Sequence, residues 1–161
     1  MSSVVNTEGA RAHRRASAAV RESLRGLAVQ LSLLNQGVGG RLELKGTDVG
    51  CLDLVNRLGP LSPTALAKAA GMHPATMTGV LDRLEKGGWV ARERDEADRR
   101  AVKIRARKDR NGEVLQAYAG MNTAMEELCA GYGVEELELI NDFIRRTATA
   151  GQGAAEELRA G

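Results

Sequence analysis

The sequence predicts a mainly α-helical protein with a small β-hairpin. Three observations support this fold class. Apolar residues recur at spacings of three and four over long stretches at both ends of the chain, which is the period of an α-helix. Between these stretches lie two short helical segments separated by a glycine turn. Two runs of alternating apolar and polar residues follow directly and predict the hairpin.

Length and composition indicate one ordinary globular domain. The chain has 161 residues, of which 43% are hydrophobic and 27% charged. No stretch has the roughly 18 to 20 apolar residues of a membrane span, and the N-terminus lacks the pattern of a secretory signal. We therefore expect a cytoplasmic protein that does not engage a membrane.

Charge and cysteine content exclude several function classes. A net charge of +2 is too small to coat the molecule, so a role with nucleic acid must depend on local clusters. An aromatic content of 2% argues against the stacking platforms of single-strand binders. Cys51 and Cys129 lie far apart, without a CxxC pair or neighbouring histidines, so we expect no disulfide, no metal and no cofactor.

The N-terminal part of the chain is expected to hold a mobile tail, residues 1–10, and one long helix. From Arg11 the apolar residues follow one another at helical spacing: Val20, Leu24, Leu27, Leu31 and Leu34. The glycines between Gln36 and Gly46 are expected to end this helix.

A second helix is predicted from Thr47 or Asp48 to Leu58, with Gly59 as its end. Its buried side is expected to consist of Val49, Leu52 and Val55. A third begins with Ser62 as N-cap and Pro63 at the first helical position. It ends at Gly71 and faces inward with Leu66 and Ala70.

A fourth helix is expected from Pro74 to Lys86, with Gly87 and Gly88 ending it. Its predicted buried stripe consists of Met77, Val80, Leu81 and Leu84. The residues that point away from the core are then Ala75, Thr76, Gly79, Arg83 and Lys86.

The hairpin is predicted over residues 89–94 and 101–106, with Val90, Val102 and Ile104 alternating with charged residues. Its tip is residues 95–100. From Arg92 to Arg110 nine Lys or Arg stand against five Asp or Glu, so positive charge is concentrated there.

Two further helices are predicted after the hairpin. The first carries a seam of Val114, Tyr118, Met121, Met125, Leu128 and Tyr132 and is broken near Gly131 and Gly133. The last runs from about Glu135 to Leu158 and carries Leu137, Leu139, Ile140, Phe143, Ile144 and Ala148. A 25-residue helix is roughly 38 Å long, more than a compact monomer of this size can cover, so the long seams predict a dimer.

Helix, glycine turn, helix and basic hairpin, in this order, is typical of a winged helix-turn-helix, which places one helix in a DNA major groove and a β-ribbon beside it. The helix pair alone would also fit an ordinary αα-hairpin. Accordingly, residues 47–107 are expected to form the DNA-binding region, and residues 11–46 and 108–161 the helical dimerisation region of one structural domain.

This part of the chain resembles the recognition helix and wing of the MarR family of bacterial transcription regulators, in the run PATMTGVLDRLEKGGWV from Pro74 and the run DRRAVKI from Asp98. The match is close over residues 52–104. The resemblance implies a homodimer with interlocked first and last helices that binds palindromic double-stranded DNA. It also implies repression that is relieved by a small-molecule effector or by thiol oxidation.

The resemblance implies a wing pair in which Arg100 enters the minor groove and Asp98 holds the hairpin tip. Arg99 could also sit in a narrow A·T-rich minor groove, where the negative potential is strongest. Thr76 and Thr78 lie at the start of the recognition helix, where a phosphate is favoured and threonine can touch a thymine methyl group.

Arg83, further along the recognition helix, is expected to bind phosphate. His73 stands where the family commonly has a small capping residue, so it could cap the helix poorly, contact the DNA backbone or simply be exposed, of which simple exposure is favoured. Gly79 lacks the polar side chain that relatives often carry. This helix is therefore expected to make few base-specific contacts. The full set expected at the DNA is Ser62, Thr64, His73, Pro74, Ala75, Thr76, Thr78, Gly79, Arg83, Asp98, Arg99 and Arg100.

Other functions are weaker or stay open. An enzyme is not expected, because there is no Ser/His/Asp spacing, glycine-rich phosphate loop or HExxH, and His13 and His73 stand alone. A redox regulator that uses Cys51 or Cys129 stays open, although both lie on or beside apolar helix faces, which favours buried structural thiols. So does a winged-helix module that binds a protein instead of DNA.

Overall fold

The computed structural model describes the backbone of residues 2–94 and 101–160 and the side chains of residues 8–94 and 101–158. Its contacts divide the chain into two compact units, Met1–Gly37 and Val38–Gly161. The helices are α1 (Ser2–Leu42), α2 (Gly46–Leu58), α3 (Pro63–Ala69), α4 (Pro74–Lys86), α5 (Asn111–Ala130) and α6 (Val134–Ala160). Strands β1 (Val90–Arg94) and β2 (Val102–Ala106) form the hairpin, which confirms the predicted fold class.

Helix α1 is longer than predicted at both ends. Residues 2–10, expected as a mobile tail, are helical, since the sequence there holds no proline to stop a helix. The glycines after Gln36 do not end α1, which continues to Leu42. The end is made by Glu43 in the left-handed region (φ 56°) and by the N–H of Leu44, which donates to the Gly39 carbonyl at 2.8 Å. A Cβ at Gly39 would lie 2.6 Å from the Leu44 oxygen, so this glycine permits a close approach.

The core of the second unit is formed by α2, α3, α4 and the hairpin. Its side chains with less than 2% exposure include Leu52, Leu66, Met77, Val80, Leu81, Leu84 and Ile104. Full burial of each such side chain contributes about 2 kcal/mol of transfer free energy. The predicted buried stripe of α4 is confirmed. These contacts hold α4 with one face inward and the opposite face in solvent.

The cap chemistry predicted for α3 is confirmed, with one correction to its inner face. The Ser62 hydroxyl oxygen accepts a hydrogen bond from the Ala65 N–H at 3.1 Å, and Gly71 has φ 64°. Beside Leu66 it is Ala67 that is buried, because Ala70 is already the C-cap and is only half-buried.

The hairpin is antiparallel, with Val90 opposite Ala106 and Arg94 opposite Val102. Leu61 adds an isolated bridge to Ile104 through two backbone hydrogen bonds of 3.1 and 2.6 Å, so the hairpin is joined to the segment before α3. Val102, expected to face inward, is 38% exposed because it lies at the outer end of β2, beyond the core.

Helices α5 and α6 leave many of their apolar side chains exposed to solvent. No residue of α5 is buried. Leu128 is 61% exposed, Leu139 72% and Ile144 52%. Within the described residues, no helix combines the length and apolar character that a membrane crossing requires.

Candidate nucleic-acid interface

The N-terminal half of α4 presents small and polar side chains to solvent. His73, Pro74, Ala75, Thr76 and Thr78 are all exposed. His73 is the N-cap, and its Nδ1 accepts a hydrogen bond from the Ala75 N–H at 3.3 Å. The histidine that sequence reasoning left between capping, DNA contact and simple exposure is thus both a cap and exposed.

The capping interactions leave Thr76 as the first-turn residue with polar groups available to a ligand. Pro74 has no N–H, Ala75 donates to His73 Nδ1, and Met77 donates to the His73 carbonyl at 3.1 Å. The Thr78 hydroxyl donates to the Pro74 carbonyl at 3.1 Å, which fixes its side chain along the helix. A helix N-terminus with an exposed threonine is suited to a phosphate.

Of the other predicted contact residues, some lie at α3 and α4 and the rest lie outside the described residues. Thr64 is exposed in the first turn of α3, while Ser62 is half-buried and occupied as its N-cap. Gly79 is half-buried and lies one turn after Ala75 on α4. Asp98, Arg99 and Arg100 lie outside the described residues, so their role at the wing tip stays a prediction.

Arg83 forms an ion pair that the sequence did not predict. Its Nε and Nη2 donate to the two carboxylate oxygens of Asp48 at 2.8 and 2.7 Å. The Asp48 side chain is 2% exposed and that of Arg83 43% exposed. The hydrogen bonds to Asp48 raise the pKa of the Arg83 guanidinium. This pair fixes the C-terminal half of α4 to the start of α2, and a phosphate contact of Arg83 stays a prediction.

A second arginine ties α4 to the wing. Arg92, on β1, donates through Nη2 to Asp82 at 2.6 Å and through Nη1 to Glu85. These contacts offset part of the negative charge of two acidic residues on the solvent side of α4, where an unpaired carboxylate would repel DNA. Arg105 is likewise paired with Glu93 across the hairpin at 2.7 Å. Part of the positive charge counted on the hairpin is therefore paired with acidic residues of the same chain.

The signal for Asp48 was present in the sequence. It lies four residues before Leu52, on the apolar face of α2, where a carboxylate is buried only together with a cation. Which cation pairs with it was not evident, because Arg83 is 35 positions away.

A cavity of about 380 Å³ lies between α2 and the first half of α5. Polar and apolar side chains share its wall, among them Asp53, Asn56, Arg57, Asn111, Val114 and Tyr118. Arg57 is paired with Asp53 at 2.9 Å, and burial together with Asp53 raises the pKa of Tyr118. The volume of this cavity lies within the range of sites that bind small molecules.

Cys51 is expected to be chemically inert in the folded protein. It is 1% exposed and lies 3.9 Å (Sγ to Sδ) from Met72. Desolvation, with a smaller effect of the Asp48 charge, raises the pKa of the Cys51 thiol to about 11. At pH 7.5 the thiol therefore stays protonated, and the thiolate is the reactive form.

A Cys129→Ser variant should not react with a thiol reagent until denaturant is added, whereas Cys51→Ser should react through the half-buried Cys129. Rapid labelling of native Cys129→Ser would contradict this reading.

Comparison with known proteins agrees with this architecture. The family model described as "MarR family" matches residues 44–102. The HTH-type transcriptional regulator YcgE of Bacillus subtilis, itself uncharacterized, is 33% identical over 135 residues, which cover 84% of this chain and 88% of YcgE.

Solved structures support the fold. A MarR family protein from Bacillus stearothermophilus superposes with a TM-score of 0.65 at 20% identity, covering 85% of this chain and 96% of that one. A mutant MepR of S. aureus, bound to an oligodeoxyribonucleotide, gives 0.54 at 17% identity, with 81% and 96% covered. With the family model, the relative in Bacillus subtilis and the winged fold in agreement, the chain belongs to the MarR family of transcription regulators.

Proposed function

We propose that this protein is a homodimeric repressor that binds palindromic operator DNA in the cytoplasm and is released by a small-molecule effector. The observation that carries the DNA-binding part is the exposed face of α4, where Thr76 offers an N–H and a hydroxyl at a helix N-terminus beside the hairpin. The packed stripe on the opposite side of α4 holds this face outward. The oligonucleotide-bound MepR structure shares the fold and supports the same use of it.

The dimer is supported by apolar surface that one chain leaves in solvent. On α6 this surface includes Leu139, Ile140, Phe143 and Ile144, which are between 37% and 72% exposed. On α1, Leu27 and Leu31 are 46% and 40% exposed. Large contiguous apolar patches on a monomer mark interaction surfaces. We propose that a second copy of the chain covers this surface, because two half-sites about 34 Å apart require two identical DNA-binding regions, called readers below.

The effector is proposed to bind in the cavity between α2 and α5. A ligand there lies between α2, the helix that carries Asp48, the partner of Arg83, and α5, which exposes apolar side chains such as Leu128. Binding would change the separation of the two α4 helices, so that both no longer fit successive major grooves. A protein bound across a promoter excludes the polymerase, which makes repression the expected outcome.

The direct test is binding to the intergenic duplex next to its own gene, measured by fluorescence anisotropy with a scrambled duplex as control. We expect a dimer by light scattering and tighter binding to the native duplex. The affinity should fall steeply with salt, with a log–log slope of about 0.9 for each phosphate contact. A monomer with equal, weak affinity for both duplexes would refute the proposal, and a dimer that binds no DNA would favour the protein-interaction module.

Thr76→Val tests the contact face of α4. The substitution keeps the shape of the side chain but removes its hydroxyl, so we expect a loss of affinity of about fivefold, corresponding to one hydrogen bond of about 1 kcal/mol. Thr123→Val, at an exposed position of α5, is the matched control and should bind like the unmodified protein. If both variants bind equally well, Thr76 does not touch DNA.

A further inference from the structure

The side chain of Arg110 joins three elements of the second unit. Arg110 precedes α5, and its guanidinium carbon lies 3.6 Å from the centroid of the Trp89 ring. Its Nη1 donates to the Gly87 carbonyl at 2.5 Å, and its Nε and Nη2 donate to the two carboxylate oxygens of Glu113 at 2.8 Å each. Gly87 is the C-cap of α4, and Trp89 directly precedes β1. One side chain therefore connects the end of α4, the base of the wing and the first turn of α5.

The groups that Arg110 contacts are themselves fixed. Trp89 is 3% exposed. Its backbone N–H donates to the Leu84 carbonyl at 2.9 Å, and its backbone carbonyl accepts from the backbone N–H of Arg107 at 2.9 Å. A cation at the carbonyl end of a helix is also favoured by the helix dipole. The three contacts combine a cation–π interaction with charge-assisted hydrogen bonds. The cluster of Arg110, Gly87, Trp89 and Glu113, called the joint below, therefore has a defined geometry.

The first turn of α5 also forms a wall of the cavity between α2 and α5. Asn111 follows Arg110 directly, Val114 follows Glu113, and both line the cavity opposite Asp53 and Asn56. A molecule that displaces this turn must displace Arg110 with it. Because the guanidinium meets Gly87 and Trp89 through directional contacts, a shift of about 1 Å breaks them.

We propose that Arg110 is a positioning residue that couples occupancy of the α2–α5 cavity to the orientation of α4 and the wing. The inference rests on the proposed function, since it describes how an effector would reach the DNA-binding face. With the cavity empty, Arg110 holds the end of α4 and the hairpin base against α5. When the cavity is filled, the first turn of α5 moves and the contacts to Gly87 and Trp89 are lost.

Trp89 is the single tryptophan of the chain, so its fluorescence reports this joint without any added label. Val114→Phe places extra volume in the cavity and serves as the probe in place of a ligand. We expect it to shift the Trp89 emission to the red and increase quenching by acrylamide. It should also lower the affinity for the intergenic duplex about tenfold, which is within the usual range of coupling between sites.

A double-mutant cycle decides whether Arg110 carries the coupling. In an Arg110→Gln background, where the joint is already open, Val114→Phe should change neither the emission nor the affinity further. Arg110→Lys keeps the charge over Trp89 without the paired bonds to Glu113 and should be intermediate. Arg107→Gln is the matched control, because Arg107 lies in the same loop and pairs with Asp109 at 3.0 Å. It should leave the effect of Val114→Phe intact.

Several outcomes would overturn the proposal. It fails if Val114→Phe lowers the affinity for DNA by the same factor in the unmodified protein and in the Arg110→Gln background. It also fails if Val114→Phe leaves the Trp89 emission unchanged. It also fails if Arg110→Gln reduces the salt slope by about 0.9, since that identifies a direct phosphate contact. If the unmodified protein binds no DNA, the proposed function is refuted, while the comparison of Trp89 emission among the variants still tests the joint.

Discussion

Arg83→Ala is expected to lower the free energy of unfolding by about 2–3 kcal/mol, because it leaves the Asp48 carboxylate buried without a cation. Removing one partner of a fully buried pair costs more, but here the Arg83 side chain is 43% exposed and solvent weakens the attraction. Urea unfolding followed by circular dichroism measures the change. A single substitution of this size is large relative to the total stability of a domain.

The matched variant is Asp48→Asn combined with Arg83→Ala. The uncharged amide is cheaper to bury than the unpaired carboxylate, so the double variant should be more stable than Arg83→Ala alone. Equal stability of the two would show that the ion pair is not the reason for the loss.

The same variants decide what Arg83 does for DNA binding. A phosphate contact, as the sequence predicts, requires that Arg83→Ala reduce the salt slope by about 0.9 and that Asp48→Asn, which releases the guanidinium, preserve affinity. If Arg83 acts by holding α4 against α2, the slope stays unchanged and Asp48→Asn weakens binding. The bidentate geometry with Asp48 favours this second result.

The elements set by local sequence were predicted well. The inward stripe of α4 follows from the spacing of its four apolar residues, and Ser62, Gly59 and Gly71 mark helix ends because cap geometry depends on neighbouring backbone atoms. The end of α1 was not predicted, since glycines commonly stop helices. Here Gly39 lies inside one, where its missing side chain lets Leu44 approach.

Contacts between distant positions could not be predicted in the same way. The partners Asp48 and Arg83, or Trp89 and Arg110, are specified by how the packed elements meet, and no period in the sequence encodes that. Charge counts gave a basic hairpin, but the structure assigns Arg92 to Asp82 and Glu85. The predicted exposure of Ala75 and Thr76 on α4 is confirmed, because an amphipathic helix exposes the face opposite its buried stripe, whereas Gly79 is half-buried. Contact of these residues with DNA stays a prediction.

Replacing Ile140 and Ile144 on α6 by glutamate is expected to abolish high-affinity DNA binding. The two side chains are 37% and 52% exposed in one chain, one turn apart on the same face. If a second copy covers this face, two glutamates place four charges in the interface and separate the subunits. A monomer holds one reader instead of two, and because linkage of two readers commonly adds 10² to 10⁴ in affinity, we expect a loss of about 100-fold or more.

Light scattering should show the monomer mass for this variant, while circular dichroism should show helix content retained, since the winged core contains neither residue. Thr149→Glu introduces a glutamate on the opposite, polar face of α6 and is the control, which should stay dimeric and bind DNA normally. A double-glutamate variant that still dimerises and binds with unchanged affinity would place the subunit contact elsewhere. One that is monomeric yet binds equally well would show that DNA recognition does not need paired readers.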